Sequence, residues 1–133
     1  MNIVSGFNPK IINDIAKSSG ANSVKNAVTY LRVPAFRGGG KFKCEVIDEV
    51  AFFAGMICKN HFRLYETAVK KEAQGKGYGT IIINRIKTIC KKHCLSKITF
   101  RTSKEEKAVD FYRHFGATII GTKDNDYEME IRV

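Results

Sequence analysis

A run of three closely spaced glycines is the feature of this sequence most able to do chemistry. The stretch EAQGKGYGT, residues 72–80, carries Gly75, Gly77 and Gly79 and leads directly into an apolar helical pattern. The first backbone N–H groups of a helix have no partner inside the helix, and the helix dipole makes this end positive. Because glycine carries no Cβ, a phosphate group can approach these donors closely, and Lys76 adds a positive charge. The stretch can therefore bind phosphate, although the same spacing equally suits a plain strand-to-helix turn.

Two familiar nucleotide-binding motifs and a metal site are not predicted. A Walker motif requires glycine, four residues and then Gly-Lys-Ser/Thr, and nothing follows Gly75 or Gly77 in that order. A dinucleotide-binding GxGxxG motif would require glycine at the position of Thr80. Cys90 and Cys94 have an i, i+4 spacing that places both sulfurs on one helix face, but no CxxC or HxxxH pattern supplies further metal ligands.

The composition bounds the class of protein. A chain of 133 residues can bury its own core, so we expect one domain over residues 1–133. No stretch approaches the roughly 20 apolar residues of a membrane span, and the first residues lack the regions of a signal peptide, so we expect a cytoplasmic protein with no membrane partner. The net charge of +10 favours an anionic partner, although a generally solvated basic surface explains it equally well.

Helical and alternating apolar patterns divide the chain into elements that fit a mixed α/β sheet with helices on both faces. Three short strands in the first half form an antiparallel meander, with turns at Asp48-Glu49 and Lys59-Asn60. The predicted elements are helices over residues 8–20, 22–33, 80–94 and 104–116, strands over residues 42–48, 50–58, 62–69, 97–102 and 126–133, and a glycine-rich loop over residues 34–41.

Two segments together resemble the hallmarks of the GCN5-related N-acetyltransferase (GNAT) family. The run QxxGxG, Gln74 to Gly79, follows the strand LYETAV and precedes an apolar helix, as in that family's acyl-CoA-binding motif. The segment AVDFYRHFGA, residues 108–117, resembles the second hallmark, a helix that bears a tyrosine and closes with glycine. The resemblance runs from about Phe42 to the C-terminus. It implies a single-domain fold with a mixed, mostly antiparallel twisted sheet, helices on both faces and a splay between the fourth and fifth strands.

The resemblance also implies where acetyl-CoA would bind as the co-substrate. In this family the strand before the glycines separates from its neighbour, and its free backbone groups pair with the pantetheine arm, which carries over to Ala68, Val69 and Lys70. The diphosphate would lie on the backbone of the glycine stretch, and part of the positive charge would serve the three phosphate groups of CoA. The residues implied there are Gln74, Gly75, Lys76, Gly77, Tyr78, Gly79 and Thr80.

The implied reaction is the attack of a neutral amine on the thioester. Tyr112 matches the family's tyrosine and would protonate the departing thiolate, whereas a core aromatic is the simpler interpretation without the resemblance. Glu66 is the best-placed carboxylate to take the proton of the amine, although a solvent-facing strand glutamate is an ordinary alternative. Two positions depart from the family pattern: Glu105 stands where Asn is frequent, which puts one cofactor contact in question, and Ala117 stands where Phe is usual.

The sequence thus predicts an enzyme, an N-acetyltransferase that moves an acetyl group from acetyl-CoA to a primary amine. Two alternatives stay open. One is a non-catalytic module that binds CoA or a partner protein. The other is an acyltransferase for amines of nucleic acid, which the basic surface would suit. The sequence does not specify the acceptor, the acyl chain, or whether the protein is a monomer or a homodimer, although the C-terminal strand could pair between subunits.

Overall fold

A computed structural model describes residues 1–6, 8–19 and 41–133. The second predicted helix and all but the last residue of the predicted glycine-rich loop lie outside these residues. The described helices are α1 (Pro9–Ser19), α2 (Tyr78–Lys92) and α3 (Glu106–His114). The strands are β1 (Ile3–Ser5), β2 (Lys41–Ile47), β3 (Ala51–Ile57), β4 (His61–Val69), β5 (Lys97–Ser103), β6 (Thr118–Lys123) and β7 (Asp126–Arg132).

The described strands form one seven-stranded sheet in the order β1-β2-β3-β4-β5-β7-β6. Every neighbouring pair is antiparallel except β4 and β5, which run parallel. The β4–β5 pairing covers only three residue pairs and ends at Arg63 opposite Thr99, so the two strands separate beyond this point. The predicted mixed, mostly antiparallel sheet with a splay between the fourth and fifth strands is therefore confirmed.

Helices cover both faces of the sheet, as predicted. Ile12 and Ile15 of α1 are buried against one face together with Phe52, and Ile86 of α2 is buried against the other face together with Phe53. Successive residues of a strand point to opposite faces. Because both faces of β3 are covered, this strand is apolar along nearly its whole length, which explains a run that shows no alternation.

A β-bulge shapes β4 just before the splay. Gly55 pairs with Leu64 and Ala54 with Glu66, which leaves Tyr65 as the extra residue. A Cβ on Gly55 would lie 2.5 Å from both a backbone oxygen and an aromatic ring of β4, so the close approach requires glycine. The extra residue reverses the alternation of side chains along β4. Glu66 consequently lies on the face of the sheet that α1 covers, together with Ala54.

Two local predictions are wrong. Helix α2 ends at Lys92, and Cys94 lies beyond it with a φ of 56°. Cys94 is exposed while Cys90 is buried in the core, so the two thiols do not share a helix face. The C-terminal strand β7 lies between β5 and β6. Both of its edges are paired within the chain, so it is not the strand that could pair between subunits.

None of the described helices has the length and the apolar character needed to cross a membrane.

Candidate active site

The glycine stretch forms an exposed turn between a short 3-10 helix (Lys71–Ala73) and α2. Gly75 and Gly77 have φ angles of 79° and 89°, in the left-handed region that favours glycine. A Cβ on either residue would meet no atom within 4 Å, so the backbone conformation requires glycine here and crowding does not. The same open space leaves the backbone of the turn accessible to a ligand.

The backbone N–H groups of this turn have no acceptor in the part of the chain that the structure describes. The amide of Ile81 donates to the carbonyl of Gly77 at 3.1 Å, but no described hydrogen bond starts from the amides of residues 75–80. Gly77 is the N-cap of α2 and offers no side-chain cap, and the first turn contains no acidic residue. Open amides at the positive end of a helix attract an anion.

Positive charge also surrounds the turn. The pKa of the exposed Glu72 is lowered mainly by a backbone hydrogen bond, and Lys70 and Lys76 contribute to the same lowering. Both lysines therefore act on the electrostatic field of this loop, where they would favour an anionic ligand as they favour the carboxylate of Glu72.

Side chains from two other parts of the fold hold the turn in place. The hydroxyl of Tyr78 donates to Oδ2 of Asp48 at 2.8 Å, and the backbone N–H of Asn2 donates to Oδ1 of the same carboxylate at 2.6 Å. These two hydrogen bonds lower the pKa of Asp48. On the other side, the hydroxyl of Ser18 donates to Glu72 at 3.2 Å and accepts a backbone N–H of the 3-10 helix at 3.2 Å. The start of α2 is thus fastened to the β2–β3 turn, and the 3-10 helix to the end of α1.

Strand β4 directs part of its backbone into the splay. The amide of Lys70 donates to a carbonyl of the β2–β3 turn at 2.7 Å, so it faces β3. Hydrogen-bonding direction alternates along an antiparallel strand, so Val69 and Thr67 direct their backbone groups away from β3, into the gap beside β5. The carbonyl of Val69 accepts the side-chain amide of Gln74 at 3.1 Å. Among the predicted strand residues, Val69 faces the gap with its backbone, and both Ala68 and Val69 line an apolar cavity beside it.

A largely apolar cavity of about 370 Å³ connects the glycine turn with the splay. Gly79 belongs to the first turn of α2, directly after the glycine turn, and Tyr112 also borders the splay. Its lining residues are Ser19, Thr67, Ala68, Val69, Gln74, Gly79, Ile82, Ile83, Phe111 and Tyr112. The other predicted cofactor-binding residues do not line the cavity and lie between the end of β4 and the first turn of α2: Lys70, Gly75, Lys76, Gly77, Tyr78 and Thr80.

A second, more polar cavity of about 100 Å³ lies in the splay itself. It is lined by Leu64, Tyr65, Glu66, Thr67, Phe100, Arg101 and Tyr112. Thr67 and Tyr112 line both cavities, so the two spaces meet at these side chains. The fold therefore brings together Tyr112 and Glu66, the two residues that sequence analysis proposed for catalysis.

The environment of Tyr112 favours its protonated form. Its ring packs against that of Phe100 with a centroid distance of 4.3 Å. Burial, and after it the nearby carboxylate of Glu66, raise the pKa of Tyr112 to about 12. Both effects disfavour a phenolate. Tyr112 consequently carries its proton across the neutral pH range and can donate it.

Arg63 fixes the point at which the splay begins. Its guanidinium donates to both carboxylate oxygens of Glu128 at 2.8 and 2.9 Å and also contacts the hydroxyl of Thr99 at 3.4 Å. The guanidinium lowers the pKa of Glu128, first through the hydrogen bond. Because Glu128 belongs to β7, this pair joins β4 to β7 across β5 at the last residue pair before the strands separate.

Five lining residues were missed by sequence analysis: Ser19, Thr67, Ile82, Ile83 and Phe111. Alternation along β4 could have indicated Thr67, because it lies two residues before Val69 on the same strand edge. Ile82 was interpreted only as part of the apolar stripe of its helix, and neither Ser19 nor Ile83 was singled out. No local signal distinguishes Phe111 from the other apolar residues of its helix. In the part of the chain that the structure describes, no group of three or more His, Cys, Asp or Glu side chains could hold a metal ion.

A family model described as an acetyltransferase (GNAT) domain matches residues 41–116, which is more than half of the chain. The chain belongs to the GNAT family of acetyltransferases. The predicted family and transferase class are therefore confirmed. This family uses acetyl-CoA, which agrees with the predicted co-substrate.

Solved structures support the GNAT fold over the full length. PaiA N-acetyltransferase from Thermoplasma acidophilum, crystallised with coenzyme A, has a TM-score of 0.73 and 17% identity, with 100% of each chain covered. The ribosomal-protein-S18-alanine N-acetyltransferase from Escherichia coli has a TM-score of 0.75 and 14% identity, with 99% of this GNAT chain and 93% of that chain covered. An aminoglycoside 6'-N-acetyltransferase complexed with coenzyme A has a TM-score of 0.73 and 14% identity, with 99% and 97% covered. No curated protein sequence matches significantly.

Proposed function

We propose that this chain is an acetyl-CoA-dependent N-acetyltransferase that acts on a primary amine, built as one domain over residues 1–133. One observation carries the proposal: open backbone amides at residues 75–80 adjoin an apolar cavity that leads to Tyr112 in the splay. This arrangement offers an anion site, an apolar channel and a proton donor in the order in which diphosphate, pantetheine arm and thioester follow one another in acyl-CoA.

The residues fit the co-substrate at each of these positions. The amides of Gly75 through Thr80 and the ammonium group of Lys76 would hold the diphosphate. Backbone groups of Val69 would pair with the pantetheine arm, and Ala68 and Gln74 would contribute to the channel wall. The other implied residues, Lys70, Gly77, Tyr78 and Gly79, would shape the turn. When bound, acetyl-CoA supplies an acetyl thioester whose thiol is the leaving group.

Tyr112 would act as the general acid. Its hydroxyl keeps a proton at neutral pH, since burial and Glu66 raise its pKa to about 12. The proton would pass to the sulfur as the C–S bond breaks, and a backbone N–H of Val69 facing the gap would stabilise charge on the carbonyl oxygen. Most of the remaining acceleration would come from holding amine and thioester together.

Glu66 would act on the acceptor side. It lines the polar cavity, which meets the apolar cavity at Tyr112, so an amine entering there would pass the carboxylate before it reaches the thioester. The carboxylate would attract an ammonium group and accept its proton, directly or through one water molecule. The polar cavity is therefore the entrance that we assign to the acceptor.

Calorimetry with acetyl-CoA, followed by an amine screen that measures free thiol, tests the proposal. Tyr112→Phe is expected to lower kcat about 100-fold with little change in the KM for acetyl-CoA, because general acid catalysis typically contributes at least this factor. Tyr127→Phe is the matched control, because Tyr127 is a partly buried tyrosine that lines neither cavity. Tight binding of acetyl-CoA without turnover of any amine would instead favour the non-catalytic module.

The pH profile provides a second test of the acid. Because the folded pKa of Tyr112 is about 12, the acid form persists well above pH 10, so Tyr112 should not limit the rate in the range from pH 7 to 10. If kcat instead falls with rising pH below about pH 10, and Tyr112→Phe abolishes this fall, the Tyr112 hydroxyl does not hold its proton as tightly as a pKa of about 12 requires.

The nucleic-acid version of the acceptor has its own test. Binding driven by the basic surface should weaken steeply as salt rises. Undetectable affinity for tRNA or DNA at low salt would exclude it. The cytoplasmic location and the choice between monomer and homodimer stay predictions.

A further inference from the structure

Phe111 is an unusually exposed aromatic residue beside the cavity. Its relative exposure is 43%, and it is the only aromatic among the large apolar side chains exposed in the described part of the chain. The ring lies against the first turn of α2: a Cβ built on Gly79 would be 2.6 and 2.8 Å from two of its atoms. Glycine at position 79 therefore leaves room for this ring, a different reason from the left-handed backbone of Gly75 and Gly77.

Neighbouring rings hold Phe111 in this orientation. It contacts Tyr112 edge to face, with centroids 5.1 Å apart, and Phe115 in the same manner at 5.2 Å. Edge-to-face pairs are favourable and restrict the rotation of a ring. Phe111 is thus supported by its own helix while a large part of its surface stays uncovered.

The position of the ring identifies what would cover it. Phe111 and Gly79 line the apolar cavity near the open amides of α2, and Ile82, Ile83 and Tyr112 line the same cavity. A ligand whose anionic group occupies those amides and whose reactive end reaches Tyr112 must pass between these residues. The segment of acyl-CoA that lies there is the pantetheine arm, whose methyl and methylene groups suit an aromatic surface.

We propose that Phe111 is a positioning residue for acyl-CoA, whose ring rests on Gly79 and forms the outer wall of the channel against the pantetheine arm. This inference rests on the proposed function. Phe111 would hold the donor and take no part in proton transfer. Replacing Phe111 should therefore raise the KM for the donor and leave kcat nearly unchanged.

The first experiment compares variants of Phe111 with two donors, acetyl-CoA and acetyl-pantetheine, which lacks the nucleotide. Phe111→Ala is expected to raise the KM of both donors by a similar factor, about tenfold, with kcat within about twofold of the parent. Phe111→Leu retains apolar volume and should have a smaller effect. Ile120→Ala is the matched control, since Ile120 is 53% exposed on β6 and lines neither cavity.

The second experiment uses the contact with Gly79. Gly79→Ala should displace the ring and raise the KM for acetyl-CoA, whereas the same change in a Phe111→Ala background should add little, because no ring remains to be displaced. Such non-additivity is the signature of two groups in direct contact. Equal effects of Gly79→Ala with and without the ring would contradict the proposed wall.

Three further outcomes would overturn the inference. If the parent binds acetyl-CoA and Phe111→Ala binds it equally well, the ring does not position the donor, although the proposed function stands. If KM rises for acetyl-CoA but not for acetyl-pantetheine, the ring contacts the nucleotide and the assignment to the arm is wrong. If the parent itself does not bind acetyl-CoA in calorimetry, the proposed function fails and this inference fails with it.

Discussion

Helices α1 and α2 begin in opposite ways. The side chain of Asn8 accepts the backbone N–H of Ile11 at 3.2 Å, and Pro9, the first residue of α1, has no N–H to satisfy. Helix α2 begins after Gly77, which has no side chain to offer, and the amides of residues 78–80 have no acceptor among the described residues. The first helix satisfies its own start, whereas the second leaves its start open. The difference agrees with the proposal that the start of α2 gives up local stability in order to bind the anionic part of a ligand.

The largest expected effect on acetyl-CoA binding comes from giving the N-terminus of α2 a capping side chain that occupies its open amides. Thr80→Glu would place a carboxylate in the first turn, at the third helical position, from which it can reach back to the open amides. We expect the affinity for acetyl-CoA to fall about 100-fold, because the carboxylate occupies the anion site and repels the diphosphate. Calorimetry measures the affinity, and thermal unfolding of the free protein should show no loss of stability.

Thr80→Gln is the control for this change, because it has nearly the same shape without the charge. It should retain most of the affinity. Equal binding by the parent and Thr80→Glu would show that the amides do not hold the diphosphate, and the contrast between the two helices would lose its functional meaning.

Removing the N-cap of α1 should have a smaller effect, and this effect should be on the stability of the fold alone. Asn8→Ala removes the cap and should lower the free energy of unfolding by about 1 kcal/mol, while the affinity for acetyl-CoA stays the same. Urea unfolding and calorimetry measure the two quantities. Asn8→Ser retains a capping oxygen and should recover most of the stability. If Asn8→Ala lost as much affinity for acetyl-CoA as Thr80→Glu, the start of α1 would also contribute to binding, and the proposed difference between the two helices would be wrong.

Releasing the anchor of α2 should have a smaller effect still. Tyr78→Phe removes the hydroxyl that donates to Asp48, so the open amides remain but are held less firmly. We expect the affinity for acetyl-CoA to fall about threefold, since preorganisation contributes to binding without adding a contact. An unchanged affinity for acetyl-CoA would show that the open amides keep their arrangement without this hydrogen bond.

The smallest expected effect is a difference in pH dependence between the side chain that anchors the start of α2 and the side chain that caps α1. The pKa of Asp48 is lowered by the amide of Asn2 and then by Tyr78, so its contribution to stability is present above its ordinary pKa and is lost as the pH falls through its lower folded value. The stability difference between the parent and Asp48→Asn should therefore begin to shrink near the ordinary pKa of about 4 and disappear as the pH falls below the lower folded pKa. Because the cap of α1 is uncharged, the difference between the parent and Asn8→Ala should persist at that pH.

Much of the fold follows from local patterns. The alternation of Tyr127, Met129 and Ile131 and the helical stripe of Ile82, Ile86 and Ile89 each lie in the core face that they predict. Strand β1 was missed because three residues carry no usable period, and its partner β2 lies more than 35 residues away in the sequence. The internal position of β7 was also missed, since strand order depends on pairing between distant segments and not on any pattern within one strand.

The conformation of the glycine turn was predictable from the sequence, because backbone chemistry determines it. Glycines at residues 75 and 77 with a following helix indicate open amides, and the structure has them. Gly79 continues the same spacing, but glycine is required there for a different reason. The ring of Phe111, which belongs to another helix, leaves no room for a Cβ. The bulge at Tyr65, which decides the face on which Glu66 lies, likewise depends on how β4 approaches β3 at Gly55. Contacts between distant segments leave no trace in a single stretch of sequence.

The bond between Arg63 and Glu128 has a consequence for synthesis of the chain on the ribosome. Glu128 emerges 65 residues after Arg63. Until then β5 has no antiparallel neighbour, and the fork between β4 and β5 has no brace at its base. A chain that contains the glycine turn and Tyr112 but not β7 therefore lacks the strand that sets the angle of the fork. We expect the ability to retain the thioester carrier to appear only after residues 126–132 have left the ribosome and paired with β5.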